Sequence, residues 1–139
     1  MIIDNSRKGT KIHKAYDNLL KRLPSTYPHA VLIVHKNFAS LREMYWRGEL
    51  ESRNAADYEP LAFCDGEKNT IHMPLSFAKE TYQQIVWFAL HEIGHLYALN
   101  KYGWEDKRWN GNKVAERYAD RFADRWTSRL KAEGFYSKI

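Results

Sequence analysis

One segment of the chain, residues 77 to about 102, constrains the fold more than any other. The sequence predicts a long α-helix there that ends before Gly103, because glycine commonly follows the last residue of a helix. The middle of this segment is apolar around most of the helix circumference, over residues 85–90 and 96–99. A helix that has no polar face is buried at the centre of a domain. The rest of the chain therefore has to pack around it.

The other elements predicted from the sequence are shorter, and their apolar spacing distinguishes helix from strand. In chain order they are an N-terminal helix (10–23, within residues 1–29), a strand–helix–hairpin region over 30–74 (strand 30–34, helix 38–47, loop 49–59, strands 61–64 and 70–73) and a last helix (113–132). No repeat or linker interrupts the 139 residues, so we expect a single domain, 1–139. The expected class is α+β, with a small mixed sheet of about three strands packed on helix 77–102 and on the C-terminal helix.

Composition excludes several classes of protein. Hydrophobic residues make up 44% of the chain and aromatic residues 14%, which is incompatible with intrinsic disorder. No apolar run reaches the ~20 residues needed to cross a bilayer, and no signal peptide is recognisable, so we expect a cytoplasmic protein without membrane contact. The single cysteine, Cys64, cannot form an intrachain disulfide or a cysteine-rich zinc site. The basic residues behind the net charge of +5 are interleaved with acids and form no run, so direct nucleic-acid binding is disfavoured.

The central helix carries the residues that indicate chemistry, in the motif His91-Glu92-Ile93-Gly94-His95. Residues four apart lie on one face of a helix, so both imidazoles can reach one metal ion, and Glu92 lies close enough to contact a water on it. This H-E-x-x-H spacing is typical of zinc hydrolases. A carboxylate in so apolar a segment is costly unless a cation lies beside it. The alternative without a metal is two core histidines that hydrogen-bond to backbone carbonyls.

A catalytic zinc site needs a third protein ligand besides these two histidines. None of the six histidines follows the motif along the chain, so a carboxylate on the next packed helix is the expected ligand. Glu116 and Asp120 lie four residues apart on that helix, beside a stripe of alanines that allows two helices to approach closely. Either carboxylate can serve as the ligand on spacing alone. A salt-bridged helix face that involves the neighbouring Arg117 and Arg121 is the alternative without a metal.

The same helix carries an arginine at every fourth position. The arginines are Arg117, Arg121, Arg125 and Arg129, with Asp120 and Asp124 between them. This pattern predicts a solvent-exposed face of salt bridges, and docking of an acidic partner is the alternative.

These motifs resemble those of the gluzincins, the thermolysin-like metallopeptidases, in which an E-x-x-x-D pattern follows the H-E-x-x-H helix. Residues 116–120 match that pattern. Over residues 30–130 the chain is more similar to the small ImmA/IrrE-type metallopeptidases, because residues 69–73 match their N-T-I-x-h strand and residues 116–123 match their E-x-x-A-[ND]-x-F-A helix. The chain also resembles the archaeal minigluzincins in length and layout. One departure is Tyr118, where many ImmA-like proteins have Glu.

The resemblance implies a zincin-like fold and a metallopeptidase with one Zn²⁺ per chain. His91, His95 and Glu116 would bind the zinc, Glu92 would act as general base, and Asp120 would orient a ligand histidine. The implied substrate is a peptide bond in an intracellular regulator such as a repressor, and the implied partner is a DNA-binding regulator. A latent or non-cleaving zinc-binding regulatory domain is one alternative, and a basic nucleic-acid-binding protein with structural zinc is another.

A residue that would stabilise the oxyanion of such a reaction is harder to find in the sequence. We expect the strand 70–73 to form the sheet edge that borders the cleft, where an extended peptide can add by backbone pairing. His72 on this strand is the candidate oxyanion donor, and a solvent-exposed histidine without a catalytic role is the alternative.

Overall fold

The computed structural model describes residues 2–4, 10–35, 62–66, 68–103 and 113–138 of the chain. Within these residues lie four strands, three α-helices and two short 3₁₀ segments. They are β1 (Ile2–Asp4), α1 (Thr10–Arg22), β2 (Val31–His35), β3 (Phe63–Asp65), β4 (Thr70–Pro74), a 3₁₀ segment (Leu75–Lys79), α2 (Tyr82–Tyr102), α3 (Lys113–Ala132) and a second 3₁₀ segment (Tyr136–Lys138). The helix predicted over 38–47 and the loop predicted over 49–59 lie outside the described residues.

The four strands form one mixed sheet in the order β1-β2-β4-β3. Both β1 and β4 run parallel to β2, and β3 pairs antiparallel with β4. The predicted α+β class, with a small mixed sheet against helices, is confirmed. Strand β1 was not predicted, because a strand of three residues is too short to show a periodic pattern and depends on its partner strand.

The position of β4 contradicts one prediction. We expected residues 70–73 at the sheet edge, but β4 lies in the interior of the sheet, with β2 on one side and β3 on the other. All five residues of β4 are buried. The backbone of β4 is therefore already paired with a strand on each side, and an extended peptide cannot add to it.

The central helix begins later than predicted. Residues 75–79 form a 3₁₀ segment, and Glu80 leaves it with an extended backbone (φ −78°, ψ 166°). The α-helix begins at Tyr82, because the Thr81 side chain accepts a hydrogen bond from a backbone N–H of the first turn and caps it. The predicted end of the helix is confirmed, since Gly103 adopts the left-handed conformation (φ 61°) that ends many helices.

The core lies where the sheet and the helices meet. Helix α1 packs against α2, and the Tyr16 hydroxyl donates a hydrogen bond to the Ala30 carbonyl (2.5 Å), which ties α1 to the residue before β2. Completely buried side chains of the sheet and α2 include those of Leu32, Ile71 and Leu90. The central position predicted for α2 is thus confirmed.

Although α2 is buried and mostly apolar, none of the helices in the described ranges has the length and apolarity to cross a membrane.

Helices α2 and α3 pack closely at the position of the H-E-x-x-H motif. A Cβ atom added to Gly94 would lie 3.0 Å from the Cβ atom of Phe122, so a larger residue has to displace that side chain. On the facing helix, the alanines at 115, 119 and 123 are almost completely buried. Small residues on both helices therefore bring the two backbones together, and this contact places the motif next to the side chains of α3.

Replacing Gly94 with valine should destabilise the protein by about 1–3 kcal/mol, because the added methyl groups overlap the buried Phe122 side chain. The measurement is urea unfolding. The control is Asn100→Val, which introduces the same residue on the exposed side of the same helix and should have a smaller effect. Equal stabilities of the two variants would contradict the close packing of α2 against α3.

Candidate metal centre

The side chains of α2 and α3 converge at one point. The Nε2 atoms of His91 and His95 lie 3.1 Å apart. The Glu116 carboxylate reaches both rings, with Oε2 3.3 Å from the His91 Nε2 atom and Oε1 3.1 Å from the His95 Nε2 atom. Helix geometry explains this convergence, because the two histidines lie one turn apart on α2 and Glu116 lies in the first turn of the helix packed against it.

These three groups fit a zinc ion. Two ligand atoms that each lie about 2.0–2.2 Å from a tetrahedral zinc are about 3.3–3.6 Å from each other. The three observed separations are slightly shorter, from 3.1 to 3.3 Å, and the two that involve Glu116 use different oxygens of its carboxylate. Two imidazole nitrogens and one carboxylate oxygen are also a ligand set that catalytic zinc sites use. The chemistry of the donor atoms therefore suits zinc, and small outward shifts of these side chains would bring their separations to the tetrahedral values.

The charges around the histidines favour a cation. Hydrogen bonds with His91 and His95 hold the pKa of Glu116 far below its usual value. Burial lowers the pKa of His91, but its hydrogen bond to Glu116 and the charges of Glu92, Glu116 and Asp120 outweigh burial, so the net shift is upward. Three carboxylates thus act on one imidazole ring. A divalent cation would neutralise this excess of negative charge.

Glu92 belongs to the same cluster but is shielded from solvent. It is only 5% exposed, and burial raises the pKa of its carboxyl. One carboxylate oxygen of Glu92, one ring nitrogen of His91 and one ring nitrogen of His95 all lie within 4.8 Å of one another. A carboxylate at this distance can exchange a proton with a group bound between the rings.

Asp120 lies at the other nitrogen of the His91 ring. Its Oδ1 atom is 3.0 Å from the His91 Nδ1 atom, whereas Glu116 contacts Nε2. This contact is an ion-pair distance without hydrogen-bond geometry, but the negative charge beside Nδ1 favours the tautomer that keeps its proton there and leaves Nε2 available for a metal. The two carboxylates, which spacing alone left equivalent, therefore have different positions in the structure. Glu116 contacts the Nε2 atoms of both histidines, and Asp120 contacts only the Nδ1 atom of His91.

Strand β3 lies close enough to the site for its carboxylates to act on it. Burial is the main cause of the raised pKa of the Cys64 thiol on β3, and the charges of Glu92 and Glu116 add to it. In the turn after β3, a side chain on Gly66 would overlap Leu99 of α2. Strand β3 and its turn therefore pack directly on the helix that carries the motif.

His72 lies in a different place from the one predicted. It is only 2% exposed, its Nδ1 atom lies 2.9 Å from the Nε2 atom of His35 on β2, and its Nε2 atom lies 3.3 Å from the Thr70 hydroxyl. Burial lowers the pKa of His72 to about 4, and the charge of His35 adds to this shift. The exposed edge position expected for His72 is wrong, because β4 is an interior strand. Within the described residues, His72 is not among the potential metal ligands that converge, which are His91, Glu92, His95, Glu116 and Asp120.

Two residues that were not predicted as part of the site, Trp87 and Asp124, lie next to it. Trp87, one turn before His91, stacks on its imidazole with 5.3 Å between ring centres and 25° between planes. The indole N–H of Trp87 donates a hydrogen bond to the Asp124 Oδ1 atom (2.8 Å). Spacing could have indicated both residues, because they continue the four-residue periodicity of the histidines and of the carboxylates.

The arginine face of α3 differs from its prediction. Its arginines are exposed, as expected. Asp120 and Asp124, however, contact side chains of α2 instead of forming the expected salt bridges along α3. Arg129 pairs instead with Glu133, at 3.5 Å.

Comparison of the chain with protein-family models, with curated proteins and with solved structures finds no match. The similarity to ImmA/IrrE-type metallopeptidases therefore rests on the short motifs in residues 69–73, 91–95 and 116–123.

Proposed function

We propose that this chain is a zinc-dependent metallopeptidase of the gluzincin type. The observation that carries the proposal is the convergence of the His91, His95 and Glu116 side chains, with Glu92 buried beside them. Two core histidines that only satisfy backbone carbonyls do not account for this arrangement, because their Nε2 atoms face each other and a carboxylate. A metal-binding set next to a separate buried carboxylate is what hydrolysis by an activated water requires.

Each side chain has one task in this reaction. His91, His95 and Glu116 would hold the metal, and the charge of Asp120, 3.0 Å from Nδ1 of His91, would favour the tautomer with the proton on that nitrogen. Bound zinc would supply Lewis acidity, which lowers the pKa of a water and polarises the scissile carbonyl. Glu92 accepts the proton of the attacking water and then donates it to the leaving amine. Its burial supports this task, because desolvation raises the pKa of the carboxyl and makes the carboxylate a stronger base.

The proposed substrate is a peptide bond in a specific cytoplasmic protein, such as a regulator that acts with a DNA-binding partner. This part of the proposal is supported by the motif similarity to ImmA/IrrE-type metallopeptidases. Contact with DNA would come through the partner, since the exposed arginines of α3 share their helix with acidic residues that repel phosphate.

The proposal predicts one zinc ion per chain, measured by elemental analysis after the protein has been supplied with zinc and dialysed. His91→Ala and Glu116→Ala should each abolish or strongly weaken zinc binding, because each removes one of three protein ligands. His29→Ala removes an exposed histidine elsewhere and should leave the zinc content unchanged. A wild-type protein that takes up no zinc would overturn the proposal and leave the motif as a packing feature of the core.

A further inference from the structure

A row of aromatic rings on α2 faces a row of carboxylates on α3. Each row repeats every four residues, so its members lie along one side of their helix. The rings are those of Trp87, His91 and His95, and the carboxylates are those of Glu116, Asp120 and Asp124. Their contacts run antiparallel: Glu116 with His95 (3.1 Å), Asp120 with His91 (3.0 Å) and Asp124 with Trp87 (2.8 Å). We call this arrangement the ring–carboxylate ladder.

The third pair of the ladder, Trp87 with Asp124, contains no proposed metal ligand but contacts one. The indole plane of Trp87 lies nearly parallel to the His91 ring, at 25° and 5.3 Å. Hydrogen bonds to a carboxylate are stronger than those between neutral groups, so Asp124 is an effective anchor for the indole N–H. Phe88 lies edge-on against Trp87 (5.6 Å, 86°) and stacks on Phe77 (4.6 Å). The Trp87 ring is thus restrained by its hydrogen bond to Asp124 on α3 and by its contact with Phe88 on α2.

We propose that Trp87, tethered by Asp124, is a positioning residue that fixes the plane of the His91 imidazole for metal binding. This inference rests on the proposed function, since it assigns Trp87 to the same zinc site. The χ2 torsion of histidine is broad, so the ring does not hold its plane by itself. Glu116 and Asp120 contact its two nitrogens, whereas Trp87 covers its face. A ring that is already restrained loses less freedom on binding, and the affinity for the metal is higher.

The zinc dissociation constant, measured by competition with a chromogenic chelator, tests this inference. Trp87→Phe keeps a stacked ring but removes the indole N–H, and Asp124→Ala removes its acceptor. Each change should weaken zinc binding about 10-fold, the lower end of the range for partners of metal ligands. The double variant should bind zinc no more weakly than either single variant, because both changes break the same tether. Asp124→Asn keeps an acceptor for the indole N–H but loses the charge, so its zinc affinity should lie between those of the wild type and Asp124→Ala.

Two further readouts distinguish positioning from a purely structural role. Trp126→Phe alters another tryptophan of the helix pair, one that packs edge-on against Tyr27 (5.6 Å). This variant should lower the thermal unfolding temperature without changing the zinc dissociation constant. Co²⁺ added in place of zinc should quench the fluorescence of the tryptophan stacked on His91, and this component of quenching should be absent from Trp87→Phe.

The possible failures have different meanings. Wild-type zinc affinity in both Trp87→Phe and Asp124→Ala, in a protein that binds zinc, would overturn this inference and leave the proposed function intact. A loss of affinity in Trp126→Phe as large as that in Trp87→Phe would assign the effect to general helix packing and would also overturn it. A wild-type protein that binds no zinc would overturn the proposed function, and this inference with it.

Discussion

Replacing Glu92 with glutamine should reduce peptide hydrolysis by about 10²–10⁴-fold and leave zinc bound. Glutamine has the same shape as glutamate and fits the buried position, but its amide cannot take a proton from water. The loss should appear in kcat rather than in KM, because the carboxylate acts on the proton that is transferred in the transition state. Hydrolysis of a quenched-fluorescent peptide library, measured together with zinc content, tests both parts of this prediction.

The matched control is Glu133→Gln. Glu133 pairs with Arg22 of α1 (2.7 Å), and the change should leave hydrolysis and zinc content unaltered. Two results would contradict the role of Glu92. Loss of zinc from Glu92→Gln would make Glu92 a ligand rather than a base. Full biological effect of a zinc-loaded Glu92→Gln protein would show that proteolysis is not the function, and the chain would then be a zinc-binding regulatory domain.

The local geometry of the candidate site could be predicted because it depends on helical spacing. His91 and His95 lie four residues apart on a helix whose end Gly103 determines. Glu116 and Asp120 lie on a helix whose predicted bounds, 113–132, agree with the structure. Spacing could not decide which carboxylate faces which ring nitrogen. That choice depends on how α2 and α3 pack, and so on the close contact at Gly94.

Contacts between distant residues could not be predicted in the same way. Trp87 and Asp124 are 37 positions apart, and the sequence offers Asp124 several arginines on its own helix. An exposed pair of charges gains little in water. The half-buried Trp87 ring, in contrast, is held by packing where its exposed N–H meets Asp124 across the helix pair. The structure therefore pairs Asp124 with Trp87, although local spacing favoured a salt bridge.

The order of the strands is likewise a property of the whole chain. The hairpin of β3 and β4 was predicted from its sequence, and their antiparallel pairing is observed. The parallel pairing of β4 with β2 depends on where the intervening chain returns to the sheet, which no local pattern determines. Because of this pairing, β4 lies in the interior of the sheet instead of at the predicted edge, and His72 is buried.

The burial of His72 should make the stability of the protein fall in the acid range. Burial and the neighbouring His35 lower its pKa from 6.5 to about 4, with Lys68 acting in the same direction and Asp65 opposing. In the unfolded chain His72 takes up its proton near pH 6.5, so between pH 6.5 and 4 the unfolded state binds more protons than the folded state. The free energy of unfolding therefore decreases as the pH drops through this range. The difference corresponds to about 3 kcal/mol, fully present above pH 6.5 and lost by about pH 4.

Urea unfolding of the metal-free protein at several pH values measures this contribution, and His72→Gln isolates it. Glutamine can still hydrogen-bond to His35 but does not titrate, so the variant should lose about 3 kcal/mol less than the wild type between pH 6.5 and 4. Carboxylates titrate in both proteins, and the comparison removes their effect. His29→Gln, which removes an exposed histidine, should keep the wild-type pH dependence. Equal pH dependence of the wild type and His72→Gln would mean that the buried pair takes up a proton without cost, and that other groups determine the stability in acid.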